Sequence, residues 1–197
     1  WLEDVVKSHC AGKVAWFRYA DDMVICCAVE RDALRVRKAL AGRLARYKLT
    51  LNEQKTRLVD FTRPRNGHPR PGVFDFLGFT FYWGRSRKGA PLPKVKTSGK
   101  RMRAKLKSVN AWCRTIRSRY PLSYIWAVYC AKLRGHIQYY GVSFNTRAVH
   151  TFLVKATRIL YTWLNRRSQR RSFTWEQFTL FIEANPLPRA RVCDALY

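Results

Sequence analysis

Two apolar runs rich in β-favouring residues lie close together near the start of the chain. They are Val14–Tyr19 and Met23–Val29, and only the tripeptide Ala20-Asp21-Asp22 separates them. A short polar break between two such runs predicts a tight β-hairpin. The two adjacent carboxylates should therefore lie at the tip of the hairpin.

The pattern changes after the second run. In Glu30–Lys48 apolar residues recur every three or four positions, which predicts an amphipathic helix with Arg and Lys on its other face. Two further strands are predicted at Arg57–Phe61 and Phe74–Tyr82, with the Pro/Gly-rich segment Thr62–Gly72 as the turn between them.

A polar and basic segment, Gly84–Gly99, contains two prolines and predicts a linker or a loop between domains. No strand pattern follows it. The residues beyond it predict helices at about Gly99–Arg119, Leu122–Tyr140 and Asn145–Arg166, and a short one near Trp175–Ala184.

The fold class predicted from this order is α+β. Residues 1–83 should form a partial antiparallel sheet with a packed helix, residues 84–98 a linker, and residues 99–197 an all-α domain. The apolar stretches are far shorter than the roughly 20 residues of a membrane-spanning helix, so no membrane is expected as a partner. The cysteines lack the spacing of a zinc site and are expected to be reduced thiols in the core. They are Cys10, Cys26, Cys27, Cys113, Cys130 and Cys193.

The 197 residues include 39 basic and 12 acidic ones, a net charge of +27. The surplus is uneven: up to Asp60 there are 12 basic and 8 acidic residues, and from Phe61 onward 27 basic and 4 acidic. Since 47% of the residues are hydrophobic, the chain is not a disordered basic tail. A solvated basic surface or an anionic membrane surface are alternatives, but the size of the surplus and the interleaved aromatics favour nucleic acid.

Two adjacent carboxylates repel each other and neither can enter a core. The pair Asp21 and Asp22 is better explained by magnesium, because Mg²⁺ takes carboxylate oxygens as ligands and can bridge them to a phosphate. As a bare dipeptide Asp-Asp is usually only a turn. Its place between two rigid strands makes a metal site the stronger interpretation.

Five sequence blocks, in order, are similar to those of one known family. Arg18–Asp22 is similar to a YADD catalytic box, Leu49–Thr56 to the block that follows it, and Phe74–Phe79 to the block that ends in the primer grip; Leu133–Gly141 and Trp163–Phe178 are similar to a maturase thumb. The chain thus resembles the group II intron reverse transcriptase/maturase family over nearly its whole length. The resemblance implies the second half of a palm followed by the thumb.

The resemblance also implies roles for single residues. Asp21 and Asp22 would bind the metal, and Tyr19 and Ala20 would lie against the primer end or the incoming nucleotide. Lys55 matches the lysine proposed to protonate the leaving pyrophosphate. The structural alternatives are a core strand aromatic for Tyr19 and a solvated side chain for Lys55.

The segment Leu77, Gly78 and Phe79 would form the primer grip. There Gly78 would let a nucleic-acid backbone approach closely, and its alternative is a β-bulge. His136 stands where the family commonly has Trp, and a core or surface histidine is favoured over a ligand there.

Phosphate contacts are expected from two sets of cations. One is a stripe near the start of the first thumb helix, and the other is a cluster after the third. The stripe is Lys94, Lys96, Lys100, Arg101, Arg103, Lys105 and Lys107, and the cluster is Arg166, Arg167, Arg170 and Arg171.

The implied enzyme is an RNA-directed DNA polymerase that copies intron RNA from a DNA primer, using deoxynucleoside triphosphates and two Mg²⁺ ions. The alternative is an RNA-binding splicing cofactor without polymerase activity. A retron or other non-intron reverse transcriptase is disfavoured by the thumb blocks. We expect a cytoplasmic, bacterial-type location, with an organelle left open; the intron recognised and the oligomeric state are not predicted.

Parts of such an enzyme are not recognised in the chain. No carboxylate before Asp21 fits as a third metal ligand, no fingers region precedes it, and no HNH endonuclease block follows the thumb. With its start at Trp1, this suggests a fragment, from an endonuclease-lacking subgroup or truncated at both ends. The chain alone is expected to bind RNA without polymerising.

Overall fold

The first part of the chain folds into a hairpin that packs against one helix. In the computed structural model, which describes residues 1–65, 67, 70–166 and 173–196, strands β1 (Val14–Tyr19) and β2 (Asp22–Cys27) pair antiparallel. Helix α1 follows at Glu30–Arg46 and packs on β2. Two short helical turns, Leu2–Val6 and Lys7–His9, precede the hairpin.

Helix α1 is held in place by contacts in its first half. The Asp32 carboxylate, fully buried in its first turn, accepts a hydrogen bond of 2.9 Å from the Gly12 backbone N–H. Val36 follows one turn later and is also buried. An ion pair of 2.6 Å between Arg37 and Glu53 ties the segment after the helix back to it.

The strand predicted at Arg57–Phe61 does not form. Instead, the Asp60 carboxylate accepts hydrogen bonds from the backbone N–H and the hydroxyl of Thr62, at 3.0 and 2.8 Å, and these bonds lower the pKa of Asp60. The Asp60 carbonyl accepts another from the Gly72 N–H at 2.7 Å. Local bonds of this kind satisfy the backbone in a turn and compete with strand pairing.

The strand predicted at Phe74–Tyr82 is divided in two. Strand β3 covers Phe74–Phe76, and strand β4 covers Phe79–Arg85. Between them Leu77 and Gly78 have positive φ angles of 49° and 80°. Positive φ at both central residues is typical of a two-residue hairpin turn, which sequence alternation alone does not reveal.

The linker predicted at residues 84–98 is also corrected, because Pro91–Thr97 forms strand β5 and pairs antiparallel with β4. Prolines usually indicate a loop, but β5 is an edge strand, and an edge strand tolerates proline. Asn145, which is fully buried, binds the end of β5: its Oδ1 accepts from the Thr97 N–H at 2.6 Å and its Nδ2 donates to the Tyr140 carbonyl at 2.7 Å. The chain accordingly divides into a first unit, Trp1–Leu77, and a second unit, Gly78–Tyr197, with the β4–β5 hairpin in the second.

Four helices complete the second unit, and each starts within one residue of its prediction. They are α2 (Gly99–Ile116), α3 (Leu122–Tyr140), α4 (Thr146–Leu164) and α5 (Trp175–Ala184). All four contribute to one core, whose fully buried members include Cys113, Ile125, Tyr129, Phe152, Leu160 and Phe178. The predicted α+β class is therefore confirmed.

The prediction that all six cysteines lie in the core is wrong. Cys113 and Cys130 are buried among the helices, and burial raises the pKa of the Cys113 thiol to about 12. Cys26 is exposed, because successive residues of β2 point to opposite faces of the hairpin. Among the described helices, none combines the length and apolar character needed to cross a membrane.

Candidate functional site

The hairpin turn between β1 and β2 carries the carboxylate pair. Tyr19 pairs directly with Asp22, so that only Ala20 and Asp21 remain in the turn. Both carboxylates are exposed, and no ion pair among the described residues includes either of them. The tip therefore presents two adjacent negative charges that no cation of the described residues neutralises.

The turn is strained at its first residue. Ala20 has a φ of 52°, in the left-handed region that favours glycine. A two-residue hairpin turn needs positive φ, and a non-glycine residue there costs roughly 1–2 kcal/mol. Residues held in such conformations cluster at functional sites, so the strain beside Asp21 supports a functional role for the tip.

An exposed aromatic pair lies beside the carboxylates. Tyr19 is 69% exposed and Phe17 61% exposed, and residues two apart on a strand share a face. Asp22, directly opposite Tyr19, lies on that face too. The structure thus removes the alternative of a core role for Tyr19. It also adds Phe17, which the sequence analysis missed although its two-residue spacing from Tyr19 was visible.

The donor set of the turn suits a magnesium ion. Mg²⁺ is usually held through one or two carboxylates, with water and substrate phosphates supplying its other ligands. Asp21 and Asp22 meet that requirement. In the part of the chain that the structure describes, no group of three His, Cys, Asp or Glu side chains could enclose a metal, so the pair supplies part of a site at most.

Lys55 lies in a separate turn of the first unit. Its backbone N–H donates to the carbonyl and to the Oδ1 of Asn52, both at 3.1 Å, and its side chain is exposed. The ion pairs of the described residues do not join it to Asp21 or Asp22. Its role toward a leaving pyrophosphate stays a prediction.

Gly78 has a structural reason to be glycine. Besides its positive φ, a Cβ there would lie 2.8 Å from the Tyr140 hydroxyl and 3.7 Å from Cγ of Arg101. The atoms that approach Gly78 closely thus belong to the protein's own side chains. The alternative of a β-bulge is wrong, because Gly78 is in a turn. Phe79 continues the contact, since its ring lies 5.9 Å from that of Tyr139 and 5.2 Å from that of Tyr140.

The predicted cationic stripe is divided among three surfaces. Lys94 and Lys96 lie on one face of β5, each with Nζ 5.1 Å from an aromatic ring centre. Helical spacing separates the α2 cations, all exposed, into two rows on either side of the helix. One row contains Lys100, Arg103 and Lys107, and the other contains Arg101 and Lys105.

Of the predicted arginine cluster, Arg166 is exposed and lies with Cζ 5.1 Å from the ring centre of Trp163. Arg167, Arg170 and Arg171 lie outside the described residues.

His136 is a core residue of the second unit. It is 4% exposed, its ring stacks on Phe152 with centres 3.6 Å apart, and the ring of Tyr140 is 4.7 Å away. Within the described structure neither ring nitrogen has a hydrogen-bond partner. Burial, and to a smaller degree the charge of Lys105, lower the pKa of His136 to about 4.

Residues 2–81 match the family model for reverse transcriptase (RNA-dependent DNA polymerase), which is 80 of the 197 residues. The matched stretch contains the carboxylate pair, Lys55 and the turn at Leu77 and Gly78. A search of the curated proteins and a search of the solved structures each gave no match. The first unit and the start of β4 are thus similar to a family of RNA-dependent DNA polymerases.

Proposed function

We propose that this chain is part of an RNA-directed DNA polymerase of the group II intron type, in which Asp21 and Asp22 are metal ligands. The observation that carries the proposal is the exposed carboxylate pair on a strained two-residue turn. The turn lies inside the stretch that is similar to reverse transcriptases. The maturase-like blocks of the second unit support the group II intron type.

Magnesium at this pair would activate a primer 3′-hydroxyl and neutralise charge on the leaving pyrophosphate. The chain's own contribution is rigid placement. Strand pairing up to Tyr19 and Asp22 holds both carboxylates on a short hairpin, which suits a reaction that depends chiefly on positioning. The exposed rings of Tyr19 and Phe17 offer flat apolar surfaces against which a base or a sugar can pack.

The second unit supplies the charge for binding RNA template and primer. It contains 24 basic residues and only three acidic ones, Glu176, Glu183 and Asp194. No ion pair between two described residues joins a cation of this unit to a carboxylate. A polyanion is the partner that such a surface fits.

An RNA-binding splicing cofactor without polymerase activity is the second candidate. It is favoured by the contrast between the units: the described residues offer no complete metal site, whereas the helical unit has a continuous core of its own.

Two assays on the purified 197-residue chain test the proposal in its simplest form. Filter binding should show salt-sensitive affinity for a structured group II intron transcript, and Mg²⁺-dependent primer extension should show no templated product. Extension by this chain would contradict the incomplete metal site, and a folded chain that binds no RNA would contradict both candidates.

The polymerase and the splicing cofactor can be distinguished with a polypeptide that joins this chain to the fingers and first half of a reverse-transcriptase palm. There Asp21→Asn should lower primer extension by several orders of magnitude while RNA affinity stays nearly constant, because a metal ligand is lost and the fold is kept. Glu30→Gln, which removes an exposed carboxylate of the same unit, is the matched control. Extension by Asp21→Asn at the rate of the control would refute the catalytic assignment of Asp21. RNA binding with no templated extension even by the unaltered polypeptide would favour the cofactor.

A further inference from the structure

Two arginines, each just after the end of a different helix, share one tryptophan ring in the second unit. Cζ of Arg117 lies 4.6 Å from the ring centre of Trp163, and Cζ of Arg166 lies 5.1 Å from it. Arg117 directly follows α2, and Trp163 is in the last turn of α4. The two guanidinium groups are thus held within roughly 10 Å of each other where both helices end.

The ring that they share is itself fixed. Nε1 of Trp163 donates a hydrogen bond of 2.7 Å to Oδ1 of Asn110 on α2. A guanidinium over an indole face is stabilised by a cation–π contact, and a fixed ring therefore positions both arginines. Since the indole edge is bound to Asn110 and its faces attract arginine, Trp163 is a positioning residue and not a surface on which bases stack.

Arg117 also ends a row of cations along α2. Helical spacing places five of them on one face, over about 25 Å of helix. The α2 row consists of Lys100, Arg103, Lys107, Arg114 and Arg117. The first four are exposed, and Arg117 is half-buried beside Trp163.

We propose that Arg117 and Arg166, positioned by Trp163, form a docking site for RNA phosphates at the end of the α2 row. The inference rests on the proposed RNA binding and names where the backbone is held. A guanidinium offers paired N–H donors that match two phosphate oxygens. Two neighbouring guanidinium groups that are not paired with a carboxylate repel each other, and a bound anion relieves this repulsion. The structural alternative is that each arginine only stabilises a helix C-terminus. That role does not explain why they converge on one ring.

The test is RNA binding by the full 197-residue chain across a range of salt concentrations. The probe is a fluorescein-labelled RNA duplex of 20 base pairs. The double variant Arg117→Gln/Arg166→Gln should bind roughly tenfold more weakly, and the slope of log K against log salt should become shallower by about two. The matched control, Arg147→Gln/Arg158→Gln, removes two exposed arginines of α4 and should change both quantities much less.

Two further variants separate positioning from charge. Arg117→Lys/Arg166→Lys keeps the charge but loses the fork, so it should retain the slope and weaken binding. Trp163→Leu removes no charge, and a shallower slope in a variant whose thermal unfolding shows it to be folded would support positioning by the ring. If Trp163→Leu does not fold, the lysine variant carries this part of the test. A slope and affinity of Arg117→Gln/Arg166→Gln equal to those of the matched control would overturn the site.

Competition identifies the partner. Polyglutamate of the same total charge should displace the labelled duplex less well than unlabelled duplex does. Equal displacement by the two competitors would indicate that the partner is an acidic protein and not RNA. Failure of the unaltered chain to bind the duplex at low salt would instead refute the proposed RNA binding itself. That outcome is seen before any variant is compared.

Discussion

Replacing His136 with Phe is expected to stabilise the second unit by about 1–2 kcal/mol. The neutral imidazole carries one donor and one acceptor, and within the described structure neither has a partner. Leaving buried polar atoms unsatisfied costs free energy that a phenyl ring does not incur. The new ring can keep the stacking on Phe152, and the small increase in volume accounts for the lower end of the range.

The same substitution should change how stability depends on pH. His136 has a pKa of about 4 in the folded protein, against about 6.5 in an unfolded chain. Above pH 6.5 the residue is neutral in both states and contributes no pH dependence. Between pH 6.5 and 4 the unfolded state binds the proton and the folded state does not, so the free energy of unfolding falls as the pH falls. The loss levels off below pH 4 at no more than about 3 kcal/mol.

Urea unfolding of the 197-residue chain, followed by far-ultraviolet circular dichroism at pH 7, 5.5 and 4.5, measures both effects. The difference between His136→Phe and the unaltered protein should grow as the pH is lowered. His150→Gln, which alters an exposed histidine of α4, should leave stability at each pH unchanged. A constant difference across the three pH values, or a His136→Phe variant less stable than the unaltered protein, would refute the reasoning.

Three further outcomes follow from single residues. Ala20→Gly should relieve the strain of the positive φ and raise the free energy of opening the β1–β2 hairpin by up to about 1 kcal/mol, which is measured as slower hydrogen exchange of its amides. Faster exchange would contradict the strain. Gly78→Ala should lower the free energy of unfolding in urea by about 1–3 kcal/mol, because alanine is strained at positive φ and its Cβ would collide with the Tyr140 hydroxyl. Adding Tyr140→Phe to the same chain should restore part of the loss, and no restoration would exclude that contact. Lys107→Gln should flatten the salt dependence of RNA binding more than Lys105→Gln does, since only Lys107 belongs to the α2 row; the reverse order would place the RNA on the other row.

The sequence predicted those elements whose signals are local. Amphipathic spacing located α1 and the four later helices, and the polar break between two apolar runs located the hairpin with its carboxylates. It failed at Arg57–Phe61, where local hydrogen bonds of Asp60 replace strand pairing, and it failed where distant residues decide the structure. Strand β5 has the composition of a linker, yet it pairs with β4 and is bound by Asn145, 48 residues after Thr97.

The candidate site shows the same division. Asp21 and Asp22 are adjacent in sequence, so their proximity needed no structure. The arginine pair was not predictable, because Trp163 and Asn110 are 53 residues apart and meet only when α4 packs on α2. A linear stripe also merged Lys105 with Lys107, which the helix places on different faces.

Magnesium binding at Asp21 and Asp22 can be tested without any polymerase activity. In a chelating buffer, Asp21→Asn/Asp22→Asn should bind RNA slightly more tightly than the unaltered chain, on the order of twofold, because two unneutralised negative charges are removed. As Mg²⁺ is added, the ion neutralises the carboxylates of the unaltered chain, and the difference should narrow. Glu3→Gln/Asp4→Asn removes another adjacent acidic pair of the first unit, in which Glu3 already pairs with Lys7, and should show no such dependence. An affinity difference that stays the same from zero to millimolar Mg²⁺ would mean that the exposed pair does not hold the ion. The strained turn would then need an explanation other than metal binding.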